Sequence, residues 1–233
     1  MRRRSLVLLL ATGSLATGSL AACSSRRSGT PAAAATPRAA VADDYRWFTV
    51  EPDFGKGFCF TWVKGLTPRQ VLARLNGDEL ERITWPQLVG AGDGPTGVTD
   101  RYYIGVTRVE GWTLIVEDNG QLGVDERLVR PLSRDTTVVT HQRGADGHGR
   151  FLLLQDGAVQ LDFDPSTPAK TAGGRAAELR PMIASVGFGV GDDPARPIRA
   201  AFALAERLTG TTLTEELLRT NTYLFTEVPR PTN

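Results

Sequence analysis

Apolar residues recur mostly at every second position between residues 58 and 163, and at every third or fourth position between 176 and 208. The first pattern predicts strands and the second amphipathic helices, so the chain reads as a sheet followed by its helical cover. Residues 111–120 are apolar on both strand faces: Trp112, Leu114 and Val116 share one, Thr113, Ile115 and Glu117 the other. Only a strand covered on both sides suits that pattern, which predicts a central strand ended by Asp118-Asn119-Gly120.

Residues 58–63, aromatic and β-branched, predict the first strand. The helix after it is fully punctuated. Thr67 stands at the N-cap, Pro68 at the first helical position, Gln70 closes a capping box, and Asn76-Gly77 ends the helix. Residues 83–85 suggest a short strand, and the glycine-rich residues 90–97 a loop. Arg101–Val109 and the central strand form a hairpin about Glu110-Gly111. A short helix over residues 124–130, stopped by Pro131, leads to a strand at 136–141. A second hairpin turns about Asp156-Gly157 and places Val159, Leu161 and Phe163 on one face with Leu152 and Leu154, with Gln160 and Asp162 on the other. Helices follow over residues 176–186, from Asp193-Pro194 to Thr209 with Gly210 as cap, and over 215–219. The expected fold is one α+β domain: a mostly antiparallel sheet of about six strands with helices packed on it, and a helical C-terminal third.

The N-terminal residues follow neither period. Arg2-Arg3-Arg4 precede an apolar run from Leu6 to Leu10 that thins into Ala, Gly, Ser and Thr, the pattern of an export signal over residues 1–22. That run is too short to span a bilayer. It ends in Leu20-Ala21-Ala22-Cys23, which resembles the lipobox of bacterial lipoproteins. The resemblance implies lipidation of Cys23 by acyl chains such as palmitate, and hence an exported protein anchored to the outer face of the cell membrane. Arg3-Arg4-Ser5-Leu6-Val7 also resembles a twin-arginine signal, which leaves the export route open. Residues 23–45, rich in Ala, Thr, Pro, Ser and Arg, read as a flexible tether, and residues 46–233 as the single globular domain.

Dividing the chain this way changes its charge. The whole carries a formal +1, but the leader and the segment behind it hold six arginines and no acid, leaving 21 basic against 26 acidic residues from Asp43 onward. An acidic domain disfavours nucleic acid as a partner. With Cys23 lipidated, Cys59 is the one remaining thiol, so no internal disulfide is expected.

Candidate chemistry is sparse. Asp162 and Asp164, two apart on a strand, could share a proton, bind a cation or act as acid and base, although Asp164-Pro165 also suits a turn cap. Glu117 and Asp118 close the central strand, where polar groups gather into clefts, although Asp118 would equally cap the next helix. His141 and His148 flank a loop as weak metal candidates lacking a third ligand, and are expected to be solvated. Residues 187–191 have neither the spacing nor the Lys-Ser or Lys-Thr of a nucleotide loop, and no G-x-S-x-G elbow occurs. No cofactor is expected.

Phe58-Cys59-Phe60 with Gly65-Leu66-Thr67-Pro68, Gly111-Trp112-Thr113-Leu114 with Val116-Glu117 and Asn119-Gly120, Phe163-Asp164-Pro165, and Ala205-Glu206-Arg207-Leu208-Thr209-Gly210 with Leu213-Thr214 together resemble an actinobacterial domain family of unknown function. That resemblance implies a single α+β domain and no particular activity. The expected role is a non-catalytic binding, interaction or sensory module at the cell surface with a protein partner. The alternative is a cell-envelope hydrolase working through Glu117, Asp162 and Asp164.

Overall fold

A computed structural model of the chain describes residues 38–50, 54, 57–89 and 100–232. The leader, Cys23 and the chain up to residue 37 lie outside the described residues, as does the loop at 90–97. One compact unit of the chain begins at Arg38. Ala40, Ala42 and Tyr45, grouped by composition with the tether, are buried in it, and Ala42–Val50 forms a 3-10 segment.

Among the described residues the unit is built on one sheet of eight strands. In chain order these are β1 (Gly57–Lys64), β2 (Glu81–Thr84), β3 (Arg101–Val109), β4 (Trp112–Asp118), β5 (Thr137–Gly144), β6 (Gly149–Gln155), β7 (Ala158–Phe163) and β8 (Thr222–Pro229). Every neighbouring pair is antiparallel, in the order β2-β8-β3-β4-β1-β5-β6-β7. β4 and β1 therefore hold the middle, as the two-faced apolar pattern of β4 predicts. The helices are α1 (Pro68–Leu75), α2 (Trp85–Leu88), α3 (Glu126–Leu132), α4 (Ala176–Ser185), α5 (Arg196–Thr209) and α6 (Glu215–Thr220).

Helices cover both faces and create two cores. On one face Phe202 of α5 packs among Phe48, Phe58 and Phe60, with ring centroids 4.3, 5.8 and 5.2 Å away. Trp112, Leu114 and Val116 belong to this core. On the other face Val71, Leu72 and Leu75 of α1 and Val129 and Leu132 of α3 cover Ile104, Ile115, Val138 and Leu152. The α1 cap forms as its sequence dictates: Thr67 Oγ1 accepts from the Gln70 N–H, Gln70 Oε1 accepts from the Thr67 N–H at 2.8 Å, and Asn76 is left-handed at φ 54°.

The structure corrects the expected architecture in three places. The sheet has eight strands rather than six. The C-terminal third contains α4, α5 and α6 but ends in β8, which inserts between β2 and β3. The β6–β7 register shifts between Leu153 and Leu154, so Leu161 and Phe163 oppose Leu153 and Phe151 in the first core while Val159 opposes Leu154 on the other side. A bulge adds one residue to one strand, and one residue of slip is enough to exchange faces.

Candidate functional site

Polar residues gather at one end of the face that α1 and α3 cover. Register places Glu117 of β4 opposite Cys59 of β1, Cys59 opposite Gln142 of β5, and Gln142 opposite Arg150 of β6. One step along, Thr61 of β1 opposes Thr140 of β5, their hydroxyls 3.1 Å apart, and Leu152 of β6 opposes Asp162 of β7. Because partners in register share a face, these residues form a polar strip across five strands. Its roof is the connection from β4 to α3, which contains the 3-10 turn Leu122–Val124. Gly123 lies so close that a Cβ there would overlap the Thr61 Oγ1 and come within 2.8 Å of the Cys59 Sγ.

Glu117 anchors the buried end of the strip at 1 % exposure. Both its carboxylate oxygens accept from the Leu122 N–H at 3.1 Å. Burial pushes its pKa up to about 7, against the downward pull of the Leu122 N–H, the Cys59 thiol and the Gly123 and Gln121 N–H groups. None of the ion pairs among the described residues includes Glu117. Cys59 is fully buried, and burial, followed by the Glu117 charge, pushes its thiol well up, the opposite of an activated nucleophile.

Arg150 anchors the open end. Its Nε and Nη2 donate to the two oxygens of Asp162 at 2.9 and 2.7 Å, Nη2 also donates to Glu126 Oε1 at 2.6 Å, and Nη1 reaches the Val124 carbonyl at 3.3 Å. The planar guanidinium thus ties β7, α3 and the roof to β6 with donors that a point charge could not place. Arg150, then Arg130, holds Glu126 below the usual carboxylate range.

The candidates read from sequence are therefore dispersed. Asp162 is engaged by Arg150 and by a backbone bridge to Ala172. Asp164 accepts from the Ser166 N–H at 2.8 Å, and its Oδ2 lies 3.6 Å from His148 Nδ1. Burial acts to raise Asp164, but the Ser166 backbone and hydroxyl and His148 together hold it low. The two aspartates share no partner among the described residues. Asp125, not Asp118, caps α3, accepting from the Arg127 N–H at 3.1 Å.

The histidines are not a pair of solvated loop residues. His148 is exposed in the β5–β6 turn, whereas His141 is buried within β5 on the opposite face, with the Phe202 and Phe58 ring centroids 4.8 and 4.9 Å away. Neither of its ring nitrogens has a hydrogen-bond partner among the described residues, and burial depresses its pKa to about 3 although the nearby Ile198 backbone opposes the shift. No three His, Cys, Asp or Glu side chains among the described residues converge as a metal site. Arg150, Glu126 and Gln142 escaped the sequence reading because only register and the docking of α3 assemble them. The glycines at 120 and 123 beside Glu117 were the available signal: a Cβ at Gly120 would overlap Glu117 itself.

The architecture defines a single-sheet α+β domain with helical layers on both faces and a roofed polar strip under one of them. Residues 38–233 match the family of unknown function DUF6461, and the chain belongs to that family. Neither a curated protein nor a solved structure matches it significantly.

Proposed function

We propose that the chain is an exported lipoprotein, held to the outer face of the membrane through Cys23, whose folded unit is a non-catalytic binding or sensory module for a partner at the cell surface. The anchor rests on Leu20-Ala21-Ala22-Cys23 behind a basic and apolar leader, a pattern that resembles the lipobox of bacterial lipoproteins. The non-catalytic half rests on one observation: each candidate carboxylate is occupied by a structural partner. Glu117 is buried under the roof, Asp162 is gripped by Arg150, and Asp164 caps the turn at Ser166. A glycoside-cleaving pair would need two carboxyl groups facing one space with room for a sugar between them.

Two measurements test the two halves. Cys23→Ser should release the protein from membranes or leave it as an unprocessed precursor, and a processed variant that still sediments with membranes overturns the anchor. Purified cell envelope incubated with wild type or with the double variant Asp162→Asn, Asp164→Asn should yield the same background of soluble fragments. Release by wild type that disappears in the double variant overturns the non-catalytic reading in favour of the hydrolase.

A further inference from the structure

The roof over the polar strip rests on a buried acid that none of the ion pairs among the described residues includes. Asn119 leaves the sheet in a left-handed conformation at φ 53°, with its N–H donating to the Gly57 carbonyl at 3.0 Å. The chain then curls over Glu117, and the Leu122 N–H donates to both of its carboxylate oxygens at 3.1 Å. Gly123 presses on Cys59, Thr61 and Thr140, and the buried Leu122 side chain and the Arg150 bond to the Val124 carbonyl hold the segment down.

We propose that residues 119–124 form a proton-linked lid, closed over Cys59, Thr61 and Thr140 when Glu117 carries a proton and lifting more often when Glu117 is ionised. An ionised carboxylate in a dry site gains hydration when its cover lifts, whereas a neutral acid gains far less. The state that binds the proton more tightly is favoured by falling pH. With the lid closed, burial holds the Glu117 pKa at about 7, and in water it reverts to its ordinary 4.5.

The groups facing Glu117 do not compete in that range. Cys59 on β1 and Tyr102 on β3 are both pushed upward, by burial first, and stay neutral. Asp125 at the start of α3 is held ionised, chiefly by Arg127, and bonds the Tyr102 hydroxyl at 3.1 Å. Arg230 stacks on the far side, 4.3 Å from the Tyr102 ring centroid, and Arg150 reaches the lid only through the Val124 carbonyl. Glu117 is the group among them that changes charge near neutrality.

The test is peptide-resolved hydrogen exchange of residues 119–124 in the full chain from pH 5 to 8, corrected for intrinsic base catalysis, with alkylation of Cys59, corrected for thiol ionisation, as a second report of opening. Two pKa values near 4.5 and 7 make the opening constant rise roughly 70-fold across that interval. Glu117→Gln, which keeps the shape and removes the charge change, should flatten the profile. A flat wild-type profile, or an equal rise in Glu117→Gln, overturns the lid. If circular dichroism shows that Glu117→Gln does not fold, wild type decides alone: the Glu117 carboxyl carbon shift must titrate with the same midpoint as the opening, and a separate midpoint overturns the proposal.

Discussion

Glu117 and His141 lie on opposite faces of the sheet and carry opposite proton imbalances. Burial raises Glu117 from 4.5 to about 7 and lowers His141 from 6.5 to about 3. At pH 5.5 the folded protein holds a neutral acid and a neutral imidazole, whereas the unfolded chain holds a carboxylate and an imidazolium. Each state thus carries one proton on the pair, on Glu117 when folded and on His141 when unfolded. The slope of stability with pH is set by the difference in bound protons, so the two contributions cancel. The signs can be separated by substitution. The Glu117 contribution favours the folded state below 4.5 and is lost as pH rises to about 7, and the His141 contribution is present above 6.5 and is lost as pH falls toward 3. Glu117→Gln should therefore leave stability rising with pH by about 1.2 kcal/mol per unit near pH 5.5, and His141→Phe should leave it falling by about as much. Asp125, Glu126 and Asp164 are all held low, so their losses fall at more acidic pH and leave this window clear. The assay is urea unfolding followed by tryptophan fluorescence at half-unit steps from pH 5 to 6.5, reading the slope rather than the absolute stability, because either substitution also alters packing. Two variants whose slopes match wild type would refute the reasoning, since neither group would then differ between the folded and unfolded states.

Trp112 is 5 % exposed and donates its indole N–H to the Thr209 carbonyl at the end of α5 at 2.8 Å. Trp112→Ala should cost about 3–5 kcal/mol and lower the melting temperature by roughly 6–20 °C. A melt within a degree or two of wild type would remove β4 from its place at the centre of the sheet. Arg150→Ala should cost about 1–2 kcal/mol, discounted because the cluster is about a third exposed. Arg150→Lys should recover less than half of that loss in denaturant midpoint, because an ammonium cannot grip Asp162 with two parallel N–H groups, and full recovery would mean that charge alone matters there.

Local chemistry was legible wherever it is self-contained. Thr67, Pro68, Gln70 and Asn76 specify both ends of α1 without help from the rest of the chain, and the β3–β4 hairpin follows from alternation about Glu110-Gly111. Long-range features were not. Tyr223, Leu224, Thr226 and Val228 of β8 are buried on both faces, so the strand lacks the alternation that would announce it after α6. Val159 changed sides because of one residue of slip, which no period in the sequence encodes. The fate of Asp162 was hidden for a similar reason: Arg150 lies 12 residues away and reaches it only across the β6–β7 pair. His141 looked solvated at the edge of the loop that it flanks with His148, yet it faces Phe202 of α5, about 60 residues later in the chain.

The place of β8 has a consequence for how the molecule is made. Among the described strands β2 pairs only with β8, so residues 81–84 find no partner among them until residues 222–225 have been synthesised. β3 likewise has one bare edge until then, while β4, β1, β5, β6 and β7 can assemble from the first 163 residues. During synthesis one half of the sheet can therefore close while the other waits for the last strand, at the entropic cost of a long loop. A chain cut after α6 would lose more than its tail: a gap one strand wide would separate β2 from β3, and Ile83 and Tyr102 would border a slot that only β8 fits.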